Sequence, residues 1–493
     1  MLGAAGIISL GVIAGRVAGV VRDVVLAGTL GIGRDADVAV LALSLPDLLT
    51  TILVGGAVSA VLIPDFKAAR AEGGSQRLFA AVTVVVGLVT GGVALVTAIA
   101  APLVVRLLGP GLSADAAARS VPLVALTVAA FPLSALAAVT TGYLQSLGRF
   151  AVPAAGTLIF NTTLVVAVAM LVRPGELLWL ALGAIAGAAL RWLTQLVAAL
   201  RAPDPAGSIG RRARDLAGLA RRYPQALGAT SAVVLVPFVA RTMASLGVAG
   251  DVATLTYALR IVEFPLGAFL TVGAVAALPH LAELVVAHRH DEASSLLGDL
   301  LRATTALTVP IAIGLVAVAG PIAALLYGRG AAAPDAVEQI GSVAAIALVS
   351  LPAQAANAAF TAVYVADRRL GIALRINIIG LAGFAVVALV AGDRLGVRGI
   401  AVAYVLLHWT LALTYAVDLG RARGIAIPAQ VFRGLGLAAT AGGIVALPVA
   451  AAARFVAMPP LAAVAVAAAG SIAGIAAAFL VSYRGADLRR LLR

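Results

Sequence analysis

Apolar stretches of twenty or more residues follow one another along almost the whole 493-residue chain, and most of the arginines sit in the short gaps between them. An α-helix needs about 20 apolar residues to cross the hydrocarbon core of a bilayer. Inside hydrocarbon, only helices and closed barrels satisfy every backbone polar group. Runs of this length occur at 4–30, 37–66, 78–107, 116–147, 151–172, 176–200, 225–247, 252–286, 303–327, 337–366, 371–391, 396–418, 430–453 and 459–482. They predict an all-α polytopic membrane protein with fourteen transmembrane helices. Composition agrees, since 62% of residues are hydrophobic and 12% are charged, whereas a soluble domain is nearer half apolar and a quarter charged.

The cations fall in alternate gaps: Lys67, Arg70 and Arg77; Arg149; the cluster from Arg201 to Arg222; Arg289; Arg368, Arg369 and Arg375; Arg421, Arg423 and Arg433; and Arg484 to Arg493. Positive gaps mark the cytoplasmic side, so both termini are expected in the cytoplasm and the protein in the cytoplasmic membrane. The same pattern accounts for the net charge of +13 without a nucleic-acid partner. The first run, 4–30, is too long and too charged for a cleaved signal peptide and reads as the first membrane helix. The basic connector at 204–224 is expected either to lie on the anionic inner leaflet or to serve as a solvated linker.

Chemistry outside transport finds few residues to work with. The chain has no cysteine and only four dispersed histidines, which excludes disulfides and thiolate metal sites. It carries no phosphate-binding Gly-rich loop, no HExxH and no nucleophile elbow, and no gap is long enough for a folded catalytic loop. No catalytic residue, cofactor or metal is expected, and the chain reads as a transporter rather than an enzyme.

The two halves repeat. Arg22 precedes Pro46 by 24 residues, as Arg241 precedes Pro265. Phe131-Pro132 leads to Arg149, and Leu351-Pro352 leads to Arg369. If helices 1–6 recur as 7–12, both copies start on the same side, giving a parallel repeat of the kind used in transport folds. The expected organisation is an N-terminal lobe at 1–203, the connector at 204–224, a C-terminal lobe at 225–424, and two further helices with a basic tail at 425–493. Two lobes rocking about a central cavity would follow.

Charges inside the runs point to what that cavity holds. Arg16, Arg22 and Asp23 lie in the first run, Asp37 opens the second, and Arg241, Arg260 and Glu263 recur later. A charge at bilayer depth is costly, so such residues face water or a partner and mark a functional path. Arg16 and Arg22 are six residues apart, about 120° out of alignment, whereas Arg260 and Glu263, three apart, share a face. Asp23 and Asp37 are candidate partners for the arginines. Four guanidinium groups against three carboxylates leave a cationic surface, suited to bidentate phosphate binding. The alternative is that these charges pair only with one another and hold one conformation. Pro46, Pro132, Pro237, Pro265, Pro310 and Pro352 fall inside predicted helices and are candidate bending points.

The run Arg16-Val17-Ala18-Gly19-Val20-Val21-Arg22-Asp23, then Asp37, then Leu45-Pro46-Asp47-Leu48-Leu49, resembles the start of the MurJ/MviN lipid II flippases. The stretch from Tyr257 through Arg260 and Pro265 to Gly267 resembles that family's helix 8 motif. The resemblance implies the multidrug/oligosaccharidyl-lipid/polysaccharide exporter fold. It also implies alternating access that carries a polyprenyl-pyrophosphate-linked glycan, lipid II, for peptidoglycan synthesis. Arg16, Arg22, Arg260 and, by its repeat position, Arg241 would meet the pyrophosphate. Asp23, Asp37 and Glu263 would pair or gate, and helices 13 and 14 would shape a groove for the lipid tail. The substrate and membrane lipids are then the partners, with cell-wall synthesis proteins as further candidates and a monomer as the expected state. Thr50-Thr51 stand where the family commonly has two arginines, Asp47 replaces an asparagine, and helices 7 and 11 lack the carboxylates proposed for sodium. The competing readings are a flippase for another lipid-linked polysaccharide precursor, a drug exporter of the same superfamily, and a non-transporting scaffold of envelope synthesis.

Overall fold

The computed structural model describes residues 4–53, 55–71, 74–202, 235–266, 280–281, 283–367, 370–423, 429–456 and 458–482. The basic connector at 204–224, the second-repeat segment 267–279 and the tail beyond 482 lie outside the described residues. Every named element is an α-helix. In order they are α1 (Ala4–Leu30), α2 (Arg34–Leu53), α3 (Gly55–Ala71), α4 (Ser75–Ile99), α5 (Ala101–Leu108), α6 (Ala114–Thr127), α7 (Ala130–Ser146), α8 (Ala151–Leu171), α9 (Leu178–Leu200), α10 (Val236–Ala244) and α11 (Asp251–Pro265). They continue as α12 (His290–Ala317), α13 (Ala319–Tyr327), α14 (Pro334–Leu348), α15 (Leu351–Ala366), α16 (Leu370–Leu395), α17 (Val397–Arg423), α18 (Ala429–Phe455) and α19 (Pro460–Ser482).

Among the described residues nine helices are long and apolar enough to cross a membrane, or ten if a bent pair counts as one span. Their outward faces are themselves apolar: Leu88 and Ile379 are each 72% exposed. Apolar area on that scale needs a lipid solvent, not water. The chain is a multi-pass membrane protein.

Several predicted runs are interrupted, and at matching places in the two halves of the sequence. The run 78–107 is divided at Ala100 into α4 and α5, and 303–327 at Val318 into α12 and α13. The run 116–147 is divided between α6 and α7, and 337–366 between α14 and α15, the latter pair bent by 45°. Corresponding breaks lie about 220 positions apart, the spacing of an internal repeat. Proline explains the geometry. Pro237 and Pro352 stand at the first or second position of their helices and Pro132 in the first turn of α7, where a missing N–H is harmless. Pro46, Pro265 and Pro310 are inside helices, as expected.

The chain forms two compact units, one of residues 1–253 with 330–332, the other of 254–329 with 333–493. In the first unit α8 is central and packs on α1 and α9, while α7 packs on α3, α4 and α9. A glycine stripe sets the α1–α8 approach. Cβ atoms at Gly11 and Gly15 would stand 2.5 Å from Ala154 Cβ and 2.9 Å from Thr157 Cβ, so only glycine allows this distance. Phe66, Phe79 and Tyr143 form the aromatic core of this unit, Phe79 stacking on Tyr143 at 4.5 Å. At one end Asp35 accepts from Arg119 Nη1 and from Gly175 N, both at 2.7 Å, which ties α2, α6 and the α8–α9 connector together. In the second unit α12 packs on α15, α18 and α19, and α17 packs on α14, α15 and α16. Among its buried aromatics Tyr257 stacks on Tyr327, with centroids 4.9 Å apart.

Residues 330–332 seat against the end of α1 within the first unit. Ala331 N donates to Gly28 O at 2.8 Å, and Gly330 has φ +73°, with Gly28 O only 2.2 Å from where a Cβ would stand. Left-handed backbone costs a non-glycine residue about 1–2 kcal/mol even without the clash. Gly330→Ala is therefore expected to lose at least that much stability, read as a lower thermal midpoint of the detergent-purified protein. An unchanged midpoint would mean that this seat contributes nothing to folding.

Candidate functional site

The glycine stripe of α1 fixes where its charged residues go. Gly19 faces Asn161 of α8, with 3.7 Å from a built Cβ to Nδ2. Arg22 is three residues further on the same face. Its Nη1 donates to Asn161 Oδ1 at 3.3 Å, and its Nε and Nη2 both donate to Asp23 Oδ1 at 2.9 Å. Asn161 Nδ2 in turn donates to Gly15 O at 3.2 Å. The side chains of Arg22 and Asp23 are only 12% and 5% exposed. A guanidinium sits inside the span because an acid and an amide hold it there, which is the arrangement that makes such burial tolerable. Arg16 lies on the same helix but is exposed, and it makes no hydrogen bond or ion pair among the described residues. The loose alignment of the two arginines is thus real: one is clamped, the other is open.

Asp37 has a different kind of partner. It is 3% exposed, and its carboxylate accepts from Gly250 N at 2.6 Å and from Ala253 N at 2.9 Å. These amides belong to the turn before α11 and to its first turn, which have no partners within the helix. Asp37 therefore caps α11 from α2, using negative charge at a helix N-terminus. Gly250 shapes this turn with φ +99°, and Asp251 closes it by accepting from Val248 N at 3.0 Å. The ion pair expected of Asp37 is replaced here by backbone capping.

Arg241 lies on α10, in the first unit, with its guanidinium 5.3 Å from the ring of Phe238, close enough for a cation–π contact. Arg260 and Glu263, in the second unit, are paired as their spacing predicts, Nη1 to Oε2 at 2.8 Å. Their side chains are 29% and 39% exposed, so this pair is reachable in a way that Arg22–Asp23 is not. A cavity of about 510 Å³ in the same unit is walled by Val309, Ile313, Val316, Trp409 and Leu447, an apolar lining that suits hydrocarbon. Trp409 Nε1 donates to Val349 O at 3.2 Å and so fixes one wall.

The structure gives partners to two intramembrane polar residues, Asn161, an amide expected to hydrogen-bond between helices, and Arg191. Asn161 emerges as the clamp on Arg22. Arg191 is a further intramembrane arginine, on α9, opposed by the charge of Asp47 on α2. Arg191 was legible as a single cation inside an apolar run, the same signal that marked Arg16 and Arg22.

A sequence model of the family described as "Lipid II flippase MurJ" matches residues 26–453. The chain belongs to the MurJ family. A probable lipid II flippase MurJ of Rhizobium meliloti is 29% identical over 424 residues, covering 81% of this chain and 76% of that one. The lipid II flippase MurJ of Burkholderia cenocepacia is 29% identical over 331 residues, covering 64% and 63%. Among solved structures, a lipid II flippase MurJ in an inward closed conformation superposes with TM-score 0.79 at 17% identity, covering 99% of both chains. An inward-facing MATE-family multidrug transporter of the MOP superfamily gives TM-score 0.70 at 14% identity, covering 86% of this chain. Those two likenesses establish the fold, which MurJ proteins share with the wider superfamily.

Proposed function

We propose that this protein is a lipid II flippase, moving a polyprenyl-pyrophosphate-linked glycan across the cytoplasmic membrane by alternating access. Family membership supplies the class of activity. Within the chain, the observation that carries it is the guanidinium of Arg22 held inside a membrane helix, where charge is retained only for a use. Arg16, Arg22, Arg241 and Arg260 supply the groups that meet the pyrophosphate. Asp23 and Glu263 hold two of these arginines until the substrate phosphate competes for them, and Asp37 gates by gripping or releasing the start of α11. The apolar cavity beside α18 receives part of the lipid tail. The full complement is fourteen spans with both termini cytoplasmic, working as a monomer. A small-cation exporter is disfavoured, because these arginines would repel its substrate.

Arg260 offers the cleanest test, since its pair with Glu263 is half open and its removal leaves little buried charge behind. A charge-assisted hydrogen bond contributes about 1.5–3 kcal/mol, so Arg260→Ala is expected to slow translocation about 10- to 100-fold. Arg260→Lys should recover part of it. The measurement is exposure of lipid II on the outer membrane face in cells that depend on this protein. Unchanged exposure in Arg16→Ala, Arg22→Ala and Arg260→Ala alike would sink the mechanism. Loss of a different lipid-linked glycan, with lipid II unaffected, would keep the mechanism and change the substrate.

A further inference from the structure

At the end of the first unit where Asp35 ties α2, α6 and the α8–α9 connector together lies a cavity that the transport reading leaves unused. Its volume is about 410 Å³, within the range of about 300–1,000 Å³ usual for small-molecule pockets. Arg119, Gly175 and Glu176 stand at its polar end, and Leu123, Leu126 and Trp179 line the rest. On α6, Arg119, Leu123 and Leu126 fall at i, i+4 and i+7, so they form one stripe that runs about 10 Å into the span. Leu126 and Trp179 are also exposed, so the apolar part of the cavity is open to the surrounding hydrocarbon.

The polar end is held in place from beneath. Asp35, 18% exposed, accepts from both Arg119 Nη1 and Gly175 N, which fixes the guanidinium and the connector together. Arg119 Nη2 meets Asp115 Oδ2 at 3.0 Å, but that acid is 66% exposed, and water weakens such a pair. A second anion can therefore compete for Nη2. Glu176 is exposed, and its carboxylate makes no hydrogen bond or ion pair among the described residues. Arg173 does not offset it, because its guanidinium is turned to the end of α8, donating to Val172 O and Met170 O. The polar end thus gathers one guanidinium, Arg119, with three carboxylates.

We propose that this cavity binds a zwitterionic aminophospholipid of the bilayer. Its phosphate takes Arg119 Nη2, as guanidinium groups do with phosphate. Its primary ammonium brings three donors to Asp115, displaced from Nη2, and to Glu176. The exchange leaves no charge alone. A purely anionic headgroup would meet the same carboxylates with nothing to offset them. One acyl chain follows the stripe of Leu123 and Leu126, against Trp179. A tryptophan at the second position of its helix suits this depth, since the indole favours the boundary between hydrocarbon and headgroups.

The test is lipid competition on the full-length protein. It is reconstituted with equal parts of phosphatidylethanolamine, phosphatidylcholine and phosphatidylglycerol and extracted into detergent, and the retained lipid is counted by native mass spectrometry. Phosphatidylethanolamine is expected to be retained about 3- to 5-fold over phosphatidylglycerol, the scale of an ion pair at the water boundary. Phosphatidylcholine should fall between them, because its quaternary ammonium keeps the charge but donates no hydrogen bond. Glu176→Gln is expected to remove most of this preference with the thermal midpoint unchanged. Leu126→Trp fills the apolar part and is expected to lower retention of all three lipids. Glu176→Gln decides the case alone if Leu126→Trp lowers the midpoint. Equal retention of the three lipids by wild type would make the cavity a crevice for acyl chains only, and preference for phosphatidylglycerol would make it an anion site. Either result overturns the proposal, as does an undiminished preference in Glu176→Gln or undiminished retention in a stable Leu126→Trp.

Discussion

Replacing Arg22 with alanine is expected to stop translocation and to destabilise the protein by about 3–5 kcal/mol, the usual effect of removing one partner from a buried ion pair. The two effects have separate causes. Stability falls because Asp23, 3% exposed, loses the guanidinium that donates to it twice, and because Asn161 Oδ1 loses its donor. Translocation stops because the clamped positive charge is gone from the span. A double change, Arg22→Ala with Asp23→Ala, separates them. It removes the buried acid together with the guanidinium and is expected to recover most of the thermal midpoint with no recovery of lipid II exposure. Should the double variant translocate at the wild-type rate, the pair would be only a structural tie.

The second large effect is expected at Asp37. Asp37→Ala leaves the Gly250 and Ala253 amides without the acceptor that α2 provides. Loss of a helix cap amounts to about 0.5–2 kcal/mol, and the burial of the orphaned amides places this case at the upper end. Opening the first turn of α11 by about 2 kcal/mol corresponds to amide exchange about 30-fold faster at these residues. Asp37→Asn retains an acceptor oxygen and is expected to fall between alanine and wild type. Hydrogen exchange resolved to the segment 248–256 measures this directly. Exchange there unchanged in Asp37→Ala would show that the carboxylate does not hold the helix. Translocation unchanged despite faster exchange would remove Asp37 from the gate while leaving the cap intact.

Much of this architecture is visible in the residues themselves, and the exceptions have physical reasons. Apolar runs announce spans because hydrocarbon demands them, but a run does not record where a helix stops and restarts. The breaks at Ala100 and Val318 lie inside unbroken apolar sequence, with Pro102 and Pro321 just beyond them as the only local signal. The prolines of Phe131-Pro132 and Leu351-Pro352 read as bending points; each stands in the first turn after a break, and at Pro352 the two helices are bent by 45°. Local charge pairs were legible as well: Arg22 with Asp23 and Arg260 with Glu263 follow from adjacency and from helical spacing. Asp37 was not, because its partners are backbone amides 213 and 216 positions away, and an amide leaves no mark in sequence. Asn161 and Arg191 stand out in their apolar runs, but what they touch does not. Each is a single polar residue in an apolar run, and its meaning depends on which glycine of a neighbouring helix it crosses, Gly19 for the amide and Gly156 for the guanidinium.

The direct test is reconstitution of the purified protein into liposomes carrying lipid II in one leaflet, with appearance of the glycan in the other leaflet followed by a membrane-impermeant probe. Lipid II is predicted to cross with the wild-type protein, to cross at the protein-free rate with Arg22→Ala, and a polyprenyl lipid without the pyrophosphate is predicted not to be carried. Equal transfer of lipid II by wild type and Arg22→Ala, or equal transfer of the lipid lacking pyrophosphate, would contradict the account.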